Sequence, residues 1–286
     1  MEYCNLTALE ALLRRHGFHF AKSMGQNFLI DAGVPRAIAE GSGATEENGV
    51  LEIGPGIGAL SHQLCRRAGK VVAVELDKRL PPILEETMAD YDNFELVMGD
   101  IMKTDIATLV EEKFAGLKPI VCANLPYNIT TPVLTKLIDS KLFSSLTVLI
   151  QKEVAERICA APGTAEYGAF SVYMQYYTDP ELLFEVGREC FSPSPKVTSA
   201  VLRAPLREAP PVAVEDEKFF FRTVYAAFAL RRKTLVNSLM TSFGSQLTKE
   251  QVLDAVLAAG LDANVRGERL GLPEFAVLAK KLAEKL

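Results

Sequence analysis

The chain is expected to be α/β, a parallel sheet of βα units followed by a smaller all-helical domain. Three observations predict this. Short β-branched apolar runs alternate with amphipathic segments over the first 150 residues; a Pro-rich, charged stretch, "PLREAPPVAVEDE", interrupts the chain at 205–217; and beyond it the apolar residues recur at helical spacing. The expected division is residues 1–206 and 207–286.

Taken in order, the opening "MEYCNLTALEALLRRHG" alternates apolar and polar residues at helical spacing. It lacks the basic start and apolar centre of a signal peptide, and no apolar run reaches membrane-spanning length, so a soluble cytoplasmic protein with no membrane partner is expected. Strands are expected at "VLEI" 50–53, "VVAVE" 71–75, "FELVM" 94–98, "PIVCAN" 119–124 and "LTVLIQ" 146–151. Helical patterns of crossover length separate them, which makes the sheet parallel. "ELLFEV" at 181–186 and "VTSAVLRA" at 197–204 have no long helix between them and should close the sheet as an antiparallel pair. After the linker, "FFFRTVYAAFAL", "KEQVLDAVLAAG" and "PEFAVLAKKLAEKL" read as helices.

Composition limits the chemistry. Of 286 residues, 49% are apolar and 23% charged, which is ordinary globular chemistry. Cys4, Cys65, Cys122, Cys159 and Cys190 are scattered without a C-x-x-C pair, and the three histidines do not join them; reduced thiols and no metal are expected. The net charge of −5 argues against a generic nucleic-acid coat. It is unevenly distributed: residues 1–205 carry 19 basic against 26 acidic side chains, residues 206–286 carry 12 against 10. Any grip on RNA must be local.

Three strand ends carry chemistry. "LEIGPGIGALS" runs a strand into Gly54, Gly56 and Gly58, where a backbone free of Cβ atoms can turn tightly and approach a ligand. Taken alone it also satisfies a dinucleotide fingerprint, Gly54-x-Gly56-x-x-Ala59. Glu75, 21 positions beyond Gly54, ends the second strand and suits the two hydroxyls of a ribose. Asp100 in "VMGDI" ends the third, where a carboxylate can receive an adenine's amino group, although Gly-Asp also makes turns. The three outline an adenosine pocket at the carboxyl edge of a sheet.

The fourth strand ends in "NLPYNIT". An amide, a rigid Leu-Pro pair and a phenol are poor packing material at a strand end, and they fit one chemistry well. The exocyclic nitrogen of adenine is a weak nucleophile because its lone pair is delocalised into the ring. Two acceptors aimed at its hydrogens, the side-chain oxygen of Asn124 and the carbonyl of Leu125 held out by Pro126, would draw it toward tetrahedral geometry. Tyr127 offers a flat face for the extruded base. A sulfonium methyl placed in line permits direct displacement, so the cofactor expected is S-adenosyl-L-methionine. Hydride transfer has no use for such a stretch.

With "GQNFL" at 25–29, "LEIGPGIGALS", "VVAVELDKRL", "NLPYNITTPVL", "QKEVAERICAAPGTAEYGAFSV", "FSPSPKVTSAVL" and "FALRRKTLVNSL", nearly the whole chain resembles the small-subunit ribosomal RNA adenine dimethyltransferases, the KsgA family. The resemblance implies a Rossmann-like methyltransferase domain and a helical RNA- or ribosome-binding domain. It also implies N6,N6-dimethylation of two adjacent adenosines in the 3'-terminal hairpin of 16S rRNA, within small-subunit particles. By the same resemblance Asn27, Leu29, Gly54, Glu75, Asp100 and Asn124 match cofactor-site positions. Phe191 is similar to the aromatic that covers the other face of the flipped adenine, Lys196 could touch phosphate, and Arg231, Arg232 and Lys233 form an RNA-binding cluster.

The family's usual "NIST" is "NITT" here, and the hydroxyl of Thr130 is expected to cap the next helix; "RGERLGL" at 266–272 departs from the usual "RAETLS". Two other readings compete. One is the 23S rRNA adenine methyltransferase of the macrolide-resistance type, which usually has Ile where Leu125 stands. The other is a non-catalytic RNA-binding assembly factor, which loss of Asn124 or of the glycines would have signalled.

Overall fold

The computed structural model describes residues 4–20 and 26–286. Gly25, the first residue of "GQNFL", lies outside them, as do residues 1–3 of the opening helical stretch. The chain forms two compact units, one of residues 1–155 with 181–206, the other of residues 156–180 with 207–286. The cut after Leu206 falls where the linker was expected. Residues 156–180 were expected in the first domain, and they belong to the helical unit.

In the first unit, α1 (Leu6–Arg15) starts at Asn5, whose side chain accepts from the Ala8 amide, and it buries Leu9, Leu12 and Leu13. After β1 (Phe28–Leu29) and α2 (Gly33–Gly41) come the βα repeats: β2 (Asn48–Ile53), α3 (Ala59–Cys65), β3 (Lys70–Glu75), α4 (Pro81–Thr87), β4 (Phe94–Met98), α5 (Ile106–Lys113), β5 (Lys118–Asn124), α6 (Thr130–Ser140) and β6 (Ser145–Gln151). Then follow α7 (Lys152–Cys159), which contains the division between the units, and α8 (Ala169–Tyr177) of the helical unit. The first unit resumes with β7 (Glu181–Val186), β8 (Phe191–Ser192) and β9 (Ser199–Pro205).

The seven-stranded sheet runs β4-β3-β2-β5-β6-β9-β7. Its first five strands are parallel, whereas β9 pairs antiparallel with both β6 and β7, as the short connection dictates. The buried faces of β2, β3 and β5 are near-continuous runs of Val, Ile, Leu and Ala, as a sheet covered on both sides requires. Chain order reverses between β2 and β5. Outside the carboxyl ends of those strands the connecting loops part to opposite faces and leave a crevice. A separate two-stranded ribbon, β1 with β8, was not expected from the sequence; it pairs Leu29 with Phe191.

In the second unit, α9 (Glu217–Phe228), α10 (Leu235–Phe243), α11 (Lys249–Ala258) and α12 (Leu272–Ala283) pack with α8 around Tyr167, Val172, Tyr176, Phe220, Phe243 and Phe275. The aromatic side of α8 explains why residues 156–180 join this unit: the rings of Tyr176 and Phe220 lie 5.2 Å apart, and Tyr177 stacks on Phe221 at 5.7 Å. Residues 156–180 bring one further Arg against three acids, so the unit as folded is neutral rather than positive. The "RGERLGL" segment packs closely here. A Cβ on Gly267 would meet the Ala227 carbonyl oxygen at 2.5 Å, and the Glu268 carbonyl accepts from the Gly163 amide at 2.7 Å.

Candidate active site

The crevice between β2 and β5 deepens into a cavity of about 300 Å³. Its wall takes in Asn27, Leu29, Gly54, Glu75 and Asp100 together with Asn124, Leu125, Pro126 and Tyr127. Residues spread over a hundred positions of sequence thus share one chamber: Gly54, Glu75, Asp100 and Asn124 stand at or just beyond strand ends on one edge of the sheet, and the stretch of Asn27 and Leu29, which forms the separate ribbon, completes the wall.

The three glycines of the turn serve two different ends. Gly54, Gly56 and Gly58 have φ of +67°, +59° and +89°, conformations L side chains rarely adopt. A Cβ on Gly54 would meet nothing within 4 Å, whereas one on Gly56 would press on the Phe28 ring at 3.1 Å and one on Gly58 on the Met88 sulfur at 2.8 Å. Gly54 keeps the cavity clear; Gly56 and Gly58 admit packed neighbours, a role that the reading of the motif as ligand-directed missed. The turn is tied to the next strand where the Gly54 amide donates to the Val74 carbonyl at 2.9 Å.

Glu75 is buried at 6% exposure, and its Oε1 accepts from the Asp77 amide at 2.7 Å. Burial pushes its carboxyl up, and backbone donors from Asp77, Leu76 and Gly56 pull the other way. Asp100 is half-buried. Its Oδ1 accepts from the Met102 amide at 2.9 Å, so it makes the turn that Gly-Asp favours while still facing the cavity.

At the end of β5 the Asn124 Nδ2 donates to the Asn27 carbonyl at 3.5 Å, which leaves Oδ1 as the acceptor side of the amide. The Leu125 amide is consumed by the Leu149 carbonyl at 3.1 Å, and Pro126 holds φ at −58° before a single 3₁₀ turn over Tyr127–Ile129. The ring of Tyr127 is half-buried. Its hydroxyl is 2.6 Å from Ser199 Oγ at the start of β9, and this bond fixes the plane of the phenol. Thr130 does not cap α6. It is the first helical residue, and its buried hydroxyl donates back to the Pro126 carbonyl at 3.3 Å, bracing the turn from below.

Not every expected residue reaches the chamber. Phe191 is 3% exposed, packs in the apolar cluster that contains Phe28 and Leu29, and is absent from the cavity wall; its pairing partner Leu29 is the residue that arrives there. Lys196 is exposed outside the cavity, and its carbonyl accepts from Arg188 at 3.4 Å. Arg231, Arg232 and Lys233 are exposed in the turn between α9 and α10. Arg231 is engaged within its own unit, donating to the Ala165 carbonyl and lying 3.7 Å from the Glu268 carboxylate.

Sequence reading passed over Glu52 and Gln26, both on the cavity wall. Glu52 is 1% exposed with Oε2 unpartnered among the described residues, and burial pushes its carboxyl up to about 8, Ser61 opposing and Glu75 reinforcing the shift. It also raises the thiols of Cys65 and Cys122, which burial has already pushed well up. An acid inside the apolar strand "VLEI" was the available signal. No group of His, Cys, Asp and Glu among the described residues could hold a metal ion, and no described helix is long and apolar enough to cross a membrane.

Comparison with known proteins gives a consistent picture. The family model described as ribosomal RNA adenine dimethylase matches residues 17–267. The chain is 48% identical over 274 residues to ribosomal RNA small subunit methyltransferase A of Geobacillus thermodenitrificans, covering 95% of this chain and 94% of that one. It is 47% identical to the protein of the same name from Lactococcus lactis, covering 97% and 95%. Among solved structures, a dimethyladenosine transferase from Plasmodium falciparum shares the fold with a TM-score of 0.74 at 24% identity, covering 90% of this chain and 98% of that one. The 23S rRNA methyltransferase ErmE does so with 0.69 at 25%, covering 90% and 100%.

Proposed function

The chain belongs to the ribosomal RNA adenine dimethylase family, and on that premise we propose that its cavity binds S-adenosyl-L-methionine and meets an adenine amine at Asn124–Tyr127. The observation that carries this reading is the convergence of Gly54, Glu75, Asp100 and Asn124 on one chamber.

The residues fit the cofactor. The space beside Gly54 that a Cβ would occupy is clear, Glu75 offers a buried carboxylate for the ribose hydroxyls, and Asp100 offers one for the adenine amine. Ile53, Ile57, Leu76 and Ile101 supply apolar wall between them. Bound there, the cofactor supplies an electrophilic methyl group on a sulfonium. Asn27 orients the Asn124 amide, so that Oδ1 is presented to one hydrogen of the target amine while the Leu125 carbonyl receives the other. Tyr127, anchored through Ser199, gives the base a platform.

The substrate is small-subunit ribosomal RNA, with two adjacent adenosines of the 16S 3'-terminal hairpin each dimethylated at N6 in the cytoplasm. Identities of 47–48% with small-subunit enzymes against 25% with a 23S enzyme favour this over large-subunit RNA. The intact glycine turn and Asn124 argue for catalysis rather than binding alone. Lys196, Arg232 and Lys233, all exposed, are assigned to phosphate contacts with the particle, and the helical unit to RNA binding.

The test is transfer of labelled methyl groups to small-subunit particles lacking the modification, with naked 16S rRNA and large-subunit RNA in parallel. Label is expected in the small-subunit 3' hairpin. Label confined to large-subunit RNA would overturn the assignment.

A further inference from the structure

The wall of the cavity that carries Asn27 and Leu29 comes from a stretch some fifty residues before the wall that carries Glu75. Nothing in the parallel sheet joins the two; a side-chain network does. Asp77 is 5% exposed and stands two residues beyond Glu75, to whose Oε1 its amide donates at 2.7 Å. Its Oδ2 accepts from Gln26 Nε2 at 2.8 Å, and Gln26 directly precedes Asn27 on the cavity wall. Arg79 grips the same carboxylate through Nε at 2.9 Å and Nη2 at 2.6 Å, donates from Nη1 to the His19 carbonyl at 2.9 Å, and lies 4.7 Å over the Phe18 ring.

We propose that Asp77 is a positioning residue for the cofactor: through Gln26 it fixes the 26–29 stretch against the end of β3, so that the two walls of the cavity hold or fail together. This rests on the assignment of the cavity to S-adenosylmethionine. The alternative is an ion pair that adds only general stability. Three features favour positioning. The carboxylate is almost wholly removed from water, so its bonds are not screened as a surface pair's would be. Its two oxygens divide their work: both serve Arg79, and Oδ2 also serves Gln26. The far end of the chain of bonds is Glu75 itself, so a displaced Asp77 loosens the group assigned to the ribose as well as the stretch that carries Asn27. Arg79 and Gln26 hold the Asp77 carboxyl down at about 2, so the network is charged throughout the neutral range.

Gln26 supplies a test that separates the two readings, because its Oε1 is buried without a partner among the described residues. Gln26→Glu sets a second carboxylate against Asp77 and breaks the link. Asp77→Asn keeps a link, because the Gln26 amide can reverse and accept from the new amide. The double variant Gln26→Glu with Asp77→Asn restores a donor–acceptor pair in the opposite sense. Each is titrated with S-adenosylhomocysteine by calorimetry, after thermal melting without ligand has shown it folded. Gln26→Glu is expected to weaken binding by about 10-fold or more, and the double variant to recover to within about 3-fold of Asp77→Asn alone. In methyl transfer the loss should fall on the KM for the cofactor more than on kcat. A folded Gln26→Glu protein that binds like the wild type, or a double variant no better than Gln26→Glu, would overturn the proposal. Wild-type protein that fails to bind the nucleoside at all would overturn the reading of the cavity and the positioning role with it.

Discussion

The roles proposed for Asn124 and Tyr127 rest on different atoms. The amide of Asn124 is oriented by the Asn27 carbonyl, so Asn124→Ala removes the acceptor and also releases that neighbour. Turnover should fall about 100-fold or more, as when one donor of an oxyanion hole is removed, while S-adenosylhomocysteine binding changes far less. Tyr127→Ala should impair turnover because the base has no ring to stack on. Tyr127→Phe keeps the ring but gives up the bond to Ser199, so its expected cost is mostly stability, about 1 kcal/mol. Equal damage to turnover from Phe and Ala would show that the hydroxyl itself acts in the chemistry. Glu52 makes a pH prediction. Its folded-state carboxyl titrates at about 8 against an ordinary 4.5, so between those values the unfolded chain is ionised there and the folded one is not. Stability therefore falls as pH rises across that window, at up to about 1.4 kcal/mol per pH unit. Melting of Glu52→Gln alongside the wild type should show a gain that widens from pH 5 to 8 and then levels; a gap that stays constant would mean Glu52 is ionised in the fold. At this scale the cavity wall was legible in the sequence where a residue stood at a strand end within two positions of a glycine or proline, as at Gly54, Asp100 and Asn124. The Asp77–Gln26 bond was not, because its partners are 51 positions apart and neither sits in an unusual local pattern.

Among the elements, all five parallel strands and the antiparallel closure occur where β-branched runs placed them, with ends shifted by at most two residues. The ribbon of β1 and β8 was invisible because two residues per strand carry no periodicity. The assignment of α8 failed for another reason: "AFSVYMQYY" is apolar nearly all round, and its aromatic partners on α9 lie more than forty positions ahead. The α9–α10 turn corrects the basic cluster in a testable way. Arg231 braces its own unit, so Arg231→Ala should lower the melting temperature. Arg232 and Lys233 have no ion pair among the described residues, so replacing both with Ala should leave melting and cofactor affinity alone. Particle binding should weaken and its salt dependence flatten, by roughly 0.7–0.9 in slope for each phosphate that is no longer neutralised. Unchanged filter-binding curves over a salt series would remove the pair from the RNA interface.

For the molecule as a whole, the positive surplus read from the sequence for the helical domain does not survive folding, since residues 156–180 cancel the surplus of residues 207–286. RNA affinity must then come from particular side chains rather than from the charge of a unit. A different whole-molecule property follows from two buried thiols of the first unit. Cys65 and Cys122 are buried, and their surroundings hold them protonated far above neutral pH, so neither can attack a reagent until the first unit opens. Their reaction with a chromogenic disulfide in native buffer is therefore a clock on opening, separable in time from the more accessible Cys4, Cys159 and Cys190. A ligand that binds only the closed form slows that clock by the factor by which it stabilises the fold, about 100-fold at a hundred times its Kd. The colour change thus reads nucleoside affinity from residues that never touch the nucleoside, in a protein that needs no label.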